Sequence, residues 1–517
     1  MFASLLPHHD DDGLAAVRLN AATAGALALV TFLILRLGLV VYRFFFHPLR
    51  KFPGPKLWAA SDLPYTYSMH LAGTGIRQVT EFHKRYGPVI RVGPNRLALD
   101  GSVGWPQIFA RRPGAEPEHE KAPKYFSPGV EYAIIGSARE THRRQRKQLA
   151  HAFSDASIHD QEKTISEYVQ LLVQRIGEHA QSEKTLNIVQ WLNFATFDII
   201  GQLTYGESFG SLASSDYHPW VLGIFQGIQA DSFLRACRVY PVMGTILTNL
   251  FPSKGIKGVE NRKLAMAKGK ARMELGLQPK KQKDFTTYMM QPNRDGKPGL
   301  SQTEIMANSP ILVVAGSETT ASALSAFFFY INQTTQAKAI LLDEIRTKFQ
   351  DESDITLTST NQLEYLHAVI EETLRMYPPA PNTPSRVSPG GEIDGKFVPK
   401  GTEVSVTIWS TFRNPEHFFD PNSFRPERWL KDTHPLYDAK FANDNHAVFK
   451  PFSYGPRDCI GKNLAYSEMR MIISHLVFKF NFELLPGQDD WHSKQLVQFI
   501  WDKGPLYVKF RFRDVKH

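Results

Sequence analysis

The sequence predicts a mainly α-helical fold with small β-sheets, placed behind one N-terminal membrane helix. The first observation is that segments with apolar residues at helical spacing cover more of the chain than segments that alternate. The helical segments are residues 165–176, 196–204, 301–330 and 361–376. The alternating segments are residues 86–99, 404–408 and 508–513. The second observation is that no internal repeat or low-complexity linker divides the 517 residues, so residues 57–517 are predicted to form one domain.

An apolar run near the N-terminus predicts the membrane helix at residues 21–42. Residues 21–35 carry no charge, Arg36 interrupts the run, and residues 37–42 resume it. At ~1.5 Å per residue this run would span about 33 Å, which is enough for the apolar core of a bilayer. Arg36 lies near one end of the run, where its side chain can reach the interface.

The charges that flank this run predict its orientation. Basic residues follow it at Arg43, Arg50, Lys51 and Lys56, whereas Arg18 precedes it. By the positive-inside rule, residues 1–20 form a lumenal tail, residues 43–56 form a basic, proline-rich linker, and the large domain faces the cytosol. A cleaved signal peptide is the alternative, but three consecutive aspartates, residues 10–12, stand where such a peptide has basic residues.

The composition of the chain indicates its cellular compartment and the kinds of partner that suit it. Hydrophobic residues make up 42% of the chain, so a large core is possible. The two cysteines, Cys237 and Cys459, cannot form a disulfide framework, which favours a reducing compartment. The formal net charge of +9 suits an anionic membrane surface or an acidic protein partner. No nucleic-acid-binding motif accompanies this charge, so nucleic acid is not predicted as a partner.

Residues 451–462 surround Cys459 and suggest a thiolate presented to a metal. Gly455 and Pro456 favour a turn. Apolar residues recur at helical spacing after Gly461, so the sulfur is expected near a helix N-terminus, which lowers a thiol pKa. Arg457 precedes the sulfur by two residues and could meet an anionic group. A buried cysteine that acts as a small hydrophobe is the alternative for a single Cys.

A second chemical pattern lies within the long apolar helix after the capping box of Ser301 and Glu304. Glu318 and Thr319 are costly in such a helix unless they have partners or a function. Ala315 and Thr319 lie four residues apart on one face, and Gly316 beside them leaves space. The alternative for Thr319 is that its hydroxyl only donates to the carbonyl four residues back.

Two further pairs of ionisable residues at helical spacing are candidates for structural or binding roles. Glu372 and Arg375 lie three apart and just before a proline pair. Taken alone, such a pair is usually a surface ion pair. His142 and Arg146 lie four apart on a basic helix that begins near Glu140, and a solvated basic face is the alternative there.

Together these motifs resemble the cytochrome P450 family. Phe452, Gly455, Arg457, Cys459 and Gly461 match the Phe-x-x-Gly-x-Arg-x-Cys-x-Gly haem-binding loop of that family. Residues 315–320 match its oxygen-binding motif, residues 372–375 its Glu-x-x-Arg motif, and residues 426–429 its Pro-Glu-Arg-Phe-like motif with Trp in the last place. All four motifs occur in family order. The chain looks most like fungal microsomal members that act in secondary metabolism.

The resemblance implies a cytochrome P450 fold, haem b (heme b, iron protoporphyrin IX) as cofactor and Cys459 as its axial iron ligand. Residues implied to contact the haem or its propionates are Arg457, Arg146, His142, Arg386, Ala315, Gly316, Phe452 and Gly461. Thr319 is implied to donate a hydrogen bond to dioxygen at the haem, and Glu318 to relay protons. Glu372, Arg375 and Arg428 are implied to form a buried structural triad.

The implied activity is that of a monooxygenase that oxidises a lipophilic small molecule with O2 and NADPH-derived electrons. The implied partner is NADPH–cytochrome P450 reductase, and the implied location is the endoplasmic reticulum membrane, spanned once. An oxygen-independent haem-thiolate isomerase or dehydratase and a non-enzymatic haem-thiolate sensor are the alternatives. The intact pair of Glu318 and Thr319 argues against both.

Overall fold

Helices dominate the chain in the computed structural model, which describes residues 11–112, 117–250, 252–277, 283–292 and 296–513. The helices are α1 Asp11–Phe45, α2 Lys56–Ala60, α3 Leu63–Thr66, α4 Gly75–Tyr86, α5 Gly101–Gly104, α6 Arg139–Leu149, α7 Asp155–Gln181, α8 Ile188–Tyr205, α9 Ser211–Ser214, α10 Pro219–Val239, α11 Pro241–Leu250, α12 Pro252–Glu274, α13 Phe285–Met290, α14 Gln302–Gln333, α15 Thr335–Lys348, α16 Leu357–Thr360, α17 Glu364–Met376, α18 Ile408–Thr411 and α19 Lys462–Lys479.

The strands are short and form four small sheets. They are β1 Val89–Gly93, β2 Arg96–Leu99, β3 Glu120–Lys121, β4 Leu186–Asn187, β5 Arg386–Val387, β6 Gly391–Ile393, β7 Lys396–Val398, β8 Glu403–Val406, β9 Phe480–Leu484, β10 Leu496–Val497, β11 Trp501–Asp502 and β12 Tyr507–Phe512. The largest sheet has the order β1-β2-β8-β5-β3, and the others are β4-β12-β9, β10-β11 and β6-β7. The prediction of a mainly α fold with small sheets is confirmed.

Helix α14 lies at the centre of the core. Its N-terminus is the predicted capping box, in which Ser301 Oγ accepts from the Glu304 N–H and the Glu304 carboxylate accepts from the Ser301 N–H. The helix packs against α8 and α12 and against α15, α17 and α19. Residues 320–331 in its C-terminal half are all buried, so protein surrounds this half on every side.

Two described helices are long and apolar enough to cross a membrane, and burial separates them. The apolar window of α14 is mostly buried in the core, whereas no residue of the apolar window in Asn20–Phe45 of α1 is buried. Asn20–Phe45 is therefore a candidate membrane span. The helix extends beyond the predicted residues 21–42 at both ends, and residues 11–20 of the predicted tail are helical. Residues 1–10 of that tail lie outside the described residues.

Three local expectations differ from the structure. The amphipathic helix predicted from residue 361 begins at Glu364, because residues 357–360 form the separate helix α16, which Thr356 caps. Ile408 was expected to continue the strand now seen as β8, but it begins α18. Phe512 was expected to share the apolar face of Phe510, yet it is 40% exposed at the edge of its sheet.

Helix α17 anchors a buried ionic network. Glu372 accepts two hydrogen bonds from Arg375, both at 2.8 Å, and one from Arg428 Nε at 3.2 Å. The Trp429 indole and the Arg425 backbone N–H also donate to this carboxylate, at 3.0 and 2.7 Å. The contacts are those expected for a structural triad, and the indole gives a function to the Trp in the last motif position.

Asp444 is a fourth charged member of the network that sequence reasoning missed. Its carboxylate accepts from Arg428 Nη1, and its side chain is buried. Arg375 fills its remaining donors with the carbonyls of Phe412, Pro421 and Ser423. Two carboxylates thus balance two guanidinium groups, which is the condition for burying ions without a large penalty.

Glu372→Gln is expected to destabilise the protein strongly, because Arg375 and Arg428 then share one carboxylate instead of two. Breaking a buried pair from one side costs about 3–5 kcal/mol. Thermal denaturation followed by circular dichroism, together with the haem content of the purified protein, measures this loss.

Glu364→Gln on the same helix is the matched control. Glu364 pairs with Lys431 at 3.6 Å, but both side chains are largely exposed. Such pairs contribute little, so the melting temperature should not move measurably. Equal effects of the two substitutions would contradict the structural role of Glu372.

Candidate active site

The loop before α19 presents Cys459 to an internal cavity. The backbone turns sharply at Ser453 and Gly455, where φ is +65° and +80°. A Cβ at Gly455 would lie 1.9 Å from the Phe109 carbonyl oxygen, so only glycine fits there. The Cys459 N–H donates to the Phe452 carbonyl at 2.9 Å and closes the loop.

The Cys459 thiol is surrounded by protein and accessible from the cavity that it lines. Helix α19 begins three residues later, as predicted, and the Gly461 N–H donates to the sulfur. The expected lowering of the pKa is not seen, because burial raises the pKa of the Cys459 thiol and outweighs the Gly461 hydrogen bond. A metal ion at the sulfur would supply the missing positive charge and stabilise the thiolate.

Helix α14 forms another wall of the same cavity through Ala315, Gly316 and Thr319. The Thr319 hydroxyl donates to the Ala315 carbonyl at 2.6 Å, which is the bond expected of a helical threonine. A Cβ at Gly316 would lie 2.6 Å from Ile200 Cδ1. The space that this glycine leaves is therefore used by α8, which packs closely on α14.

Cationic side chains gather at one end of the cavity. Lys121 of β3 and Arg386 of β5 are direct cross-strand partners, which places two positive charges opposite one another. Arg457 joins them from the Cys459 loop, and His142 and Arg146 come from α6. The carboxylate of Glu118 lies 3.7 Å from Arg457 Nε at the edge of this group.

These cations destabilise one another. Burial, followed by the charges of Arg386, Arg457 and Arg146, lowers the pKa of Lys121 well below its ordinary value. Burial and Arg457 lower the pKa of Arg386 to about 10, and burial lowers that of Arg457. Burial and the same cations lower the pKa of His142 to about 3, so this imidazole is neutral at pH 7.

Several donors in this cluster lack a hydrogen-bond partner among the described residues, namely Nε of Arg386 and both Nε and Nη2 of Arg457. Buried guanidinium groups without acceptors are costly, so the cluster fits a ligand with anionic oxygens at this end. The haem of the cytochrome P450 family has two propionates to place here and an iron to place at the Cys459 sulfur. A Cβ added at Gly461 would lie 3.7 Å from its nearest protein neighbour, Phe153, which is an ordinary van der Waals distance. The space beside Gly461 is therefore available to the haem.

The predicted haem contacts lie around one cavity. Its lining includes Phe452, Gly461, Ala315 and Gly316 together with Cys459 and the basic residues. Arg146 lines the cavity, but it also donates to the Asp458 carbonyl at 2.6 Å and to the Asp458 carboxylate at 2.5 Å. This pairing fixes the loop next to Cys459, which the sequence did not indicate.

Glu318 is not in this lining. The carboxylate is buried against Lys503 on a different face of α14, beside a second cavity. The structure therefore does not bring the predicted acid and Thr319 to the same surface.

Two further residues that line this cavity escaped the sequence analysis. Lys121 lay in a loop that showed no motif. Glu468 of α19 lines the cavity, and its side chain forms a hydrogen bond with Thr320. Its second carboxyl oxygen has no hydrogen-bond partner among the described residues. Burial raises its pKa to about 8, so this carboxyl is neutral at pH 7. A carboxylate at position 468 within an apolar helix was the signal that could have identified it.

Comparison with known proteins agrees with this geometry. The family model described as Cytochrome P450 matches residues 60–510. Cytochrome P450 monooxygenase astJ of Aspergillus oryzae is 40% identical over 487 residues, which cover 92% of this chain and 94% of the relative.

Two other relatives carry names that state a reaction. The trichothecene C-15 hydroxylase of Fusarium sporotrichioides is 38% identical over 475 residues, 91% of this chain and 94% of the relative. The averantin hydroxylase of Dothistroma septosporum is 37% identical over 502 residues, 96% of this chain and 92% of the relative. With a family match over most of its length and a cavity that fits haem b at a cysteine sulfur, this chain belongs to the cytochrome P450 family and is a haem-thiolate monooxygenase.

Proposed function

We propose that this monooxygenase hydroxylates or otherwise oxidises a lipophilic small molecule of fungal secondary metabolism, held in the cavity between α14 and the Cys459 loop. The observation that carries the proposal is that one cavity joins Cys459 to the Thr319 face of α14. Apart from its cationic end the lining is mainly apolar, and it includes Phe109, Ile134, Ile200 and Leu312. Such a surface favours a substrate with little charge.

Haem b, when bound, supplies the activation of dioxygen, of which one oxygen atom enters the substrate and the other leaves as water. The protein residues contribute position and proton control. Cys459 would hold the iron through its sulfur, and Lys121, Arg386 and Arg457 would bind the propionates. Thr319 lines the cavity, and its hydroxyl, which donates to the Ala315 carbonyl, could turn and donate into the cavity instead.

The alternatives are an oxygen-independent isomerase or dehydratase and a haem-thiolate sensor. Neither requires a hydroxyl on the face of α14 that lines the Cys459 cavity, and Thr319 supplies one. The two relatives whose names state a reaction are both named as hydroxylases. These two observations favour the monooxygenase over either alternative.

For the location and the electron donor, we propose the endoplasmic reticulum membrane and NADPH–cytochrome P450 reductase. Asn20–Phe45 supports a single membrane span. Exposed apolar side chains on α11, such as Val242 and Leu250, give a second surface suited to lipid. Arg143 and Lys147 on α6 are exposed near the Cys459 side and suit an acidic flavoprotein surface.

Cys459→Ser is expected to abolish the thiolate-type Soret band of the reduced carbon monoxide complex, because a hydroxyl does not replace a thiolate as the iron ligand. Absorption spectroscopy of the purified protein measures the band. Cys237→Ala in α10 is the control and should retain it. A thiolate-type band in the Cys459→Ser protein would overturn the ligand assignment.

Thr319→Ala is expected to uncouple the reaction, so that NADPH and O2 are consumed while peroxide replaces product. Wild-type protein with reductase should consume both in step with the oxidation of a lipophilic substrate. The ratio of product to NADPH, with a peroxide assay, measures the difference.

Ser325→Ala on the same helix is the matched control for Thr319→Ala. Its hydroxyl donates to the carbonyl four residues back, as that of Thr319 does, but it does not line the cavity. The control should stay coupled, and Thr319→Ser should recover most of the coupling. Product formation by wild-type protein without NADPH or O2 would exclude the monooxygenase activity.

In sealed microsomes, added protease is expected to digest residues 57–517 without detergent, because the catalytic domain faces the cytosol. The protein should also stay in the membrane pellet after extraction at alkaline pH. Full protection of the domain from protease would reverse the proposed orientation.

A further inference from the structure

Residues 132–137 form a wall segment of the Cys459 cavity, which Ile134 and Ile135 line. Residues 133–137 belong to no helix or strand. Their backbone hydrogen bonds to one another are local turns, such as the bond from the Gly136 N–H to the Ala133 carbonyl at 3.0 Å. Local turns shape the wall segment but do not attach it to the rest of the domain, so side chains from other elements must do so.

Four side chains from other elements bind the backbone of the wall segment. Lys121 and Arg457 belong to the cationic end of the cavity, whereas Asn308 of α14 and Gln145 of α6 are uncharged. The bonds run from Lys121 Nζ to the Ile135 carbonyl at 2.6 Å, from Arg457 Nη1 to the Ser137 carbonyl at 2.9 Å, from Gln145 Nε2 to the Tyr132 carbonyl at 2.7 Å, and from the Ile134 N–H to Asn308 Oδ1 at 2.9 Å.

Asn308 differs from the other three side chains because it accepts a hydrogen bond from the wall segment. Its side chain is fully buried, and the Ile134 N–H that it binds would be costly to leave without an acceptor. Ile311 and Leu312, which line the cavity, follow Asn308 by three and four residues in α14. The bond therefore joins Ile134 to the helical turn that precedes the cavity-lining part of α14.

The carboxylate of Glu304 is the fixed end of a hydrogen-bond chain that leads to Asn308. Arg144 donates to Glu304 Oε1, and Gln145 Nε2 donates to the same oxygen at 3.1 Å. Burial raises the pKa of this carboxyl, but the hydrogen bonds from Arg144, Ser301 and Gln145 outweigh burial and lower the pKa to about 2. Glu304 is therefore ionised at pH 7 and can only accept hydrogen bonds.

This acceptor fixes the orientation of two amide side chains in succession. Because Glu304 can only accept, Gln145 must turn its Nε2 toward the carboxylate, which leaves its Oε1 toward Asn308. Asn308 Nδ2 then donates to Gln145 Oε1 at 3.4 Å and to the Glu304 carbonyl at 2.9 Å. Asn308 Oδ1 is consequently the atom that points to the Ile134 N–H, which is the orientation that the wall segment requires.

We propose that Asn308 is a positioning residue that holds Ile134 in place before a substrate binds, with Gln145 and Glu304 fixing the orientation of its amide. This inference rests on the proposed function, in which a lipophilic substrate occupies the Cys459 cavity. A wall that is held in advance needs no ordering when a molecule packs against it, so such a molecule binds more tightly. Ile134 is then a specificity-determining residue, and Asn308 acts on specificity through it.

The first test is residue-resolved hydrogen–deuterium exchange of the haem-bound protein. The Ile134 N–H should exchange slowly in the wild-type protein. Asn308→Leu removes the acceptor in a side chain of similar size, so this exchange should become about ten-fold faster. Asn308→Asp keeps an acceptor oxygen in the same position and should restore slow exchange. Ser309→Ala is the matched control and should change nothing, because the Ser309 hydroxyl is also buried but donates within α14, to the Ile305 carbonyl at 2.8 Å.

The second test measures binding of two probes, imidazole and 4-phenylimidazole, by the shift of the Soret band. Both bind haem iron through a ring nitrogen, but only 4-phenylimidazole carries an apolar group into the cavity. Asn308→Leu should weaken 4-phenylimidazole about ten-fold relative to imidazole, because binding must then order the wall segment. In an Ile134→Ala background the same substitution should change this ratio little, since the side chain through which Asn308 acts is absent.

Fast exchange of the Ile134 N–H in the wild-type protein, or unchanged slow exchange in Asn308→Leu, would overturn the proposal. An unchanged affinity ratio, or an equal change in the two backgrounds, would do the same. If Asn308→Leu does not bind haem, Gln145→Met removes the amide that orients Asn308 and should also accelerate exchange at Ile134. Neither readout requires turnover, so failure of the monooxygenase activity would be seen separately, in the product assay with NADPH and O2.

Discussion

An excess of positive charge at one end of the cavity is the constraint on which the site depends. Lys121 and Arg386 oppose each other across the β3–β5 pair, and Arg457 reaches them from the Cys459 loop. Three separate segments thus bring like charges together inside the protein, where repulsion is strong. Only a bound anion turns this arrangement from a cost into a stabilising contact. The propionates of haem would supply that anion, and the Cys459 sulfur would hold the iron.

The buried network around Glu372 differs from the cationic end of the cavity, because its positive and negative charges balance without a ligand. Two carboxylates and two guanidinium groups satisfy one another there, and the network joins α17 to the segment that precedes the Cys459 loop. The fold can therefore hold the loop in place before the cofactor binds. The Glu372 network therefore stabilises the fold, whereas the cationic cluster is suited to bind an anionic ligand.

Structural features that depend only on residues close together in the chain could be predicted from the sequence. The capping box of Ser301, the start of α19 after Gly461 and the strands within residues 86–99 depend on neighbours within a few positions, and all three are confirmed. The fixed spacing in the Cys459 loop likewise identified the family, which the match over residues 60–510 confirms. Such features survive in sequence because the chemistry of turns and caps is local.

Long-range partners could not be predicted. Lys503 lies 185 positions from Glu318, Asp444 joins the triad from another loop, and Lys121 meets Arg386 only through strand pairing. No periodicity encodes these contacts, because the tertiary fold brings the segments together. The rise in the Cys459 pKa has the same origin, since burial by distant segments outweighs the nearby helix N-terminus.

The central claim is that the cationic end of the cavity binds the two haem carboxylates. The most direct measurement compares the affinity of the cofactor-free protein for haem with its affinity for haem whose propionates are methyl esters. Loss of two charge-assisted contacts, each ~1.5–3 kcal/mol, predicts that the ester binds more than about a hundred-fold more weakly. Equal affinity for the two forms would contradict the account.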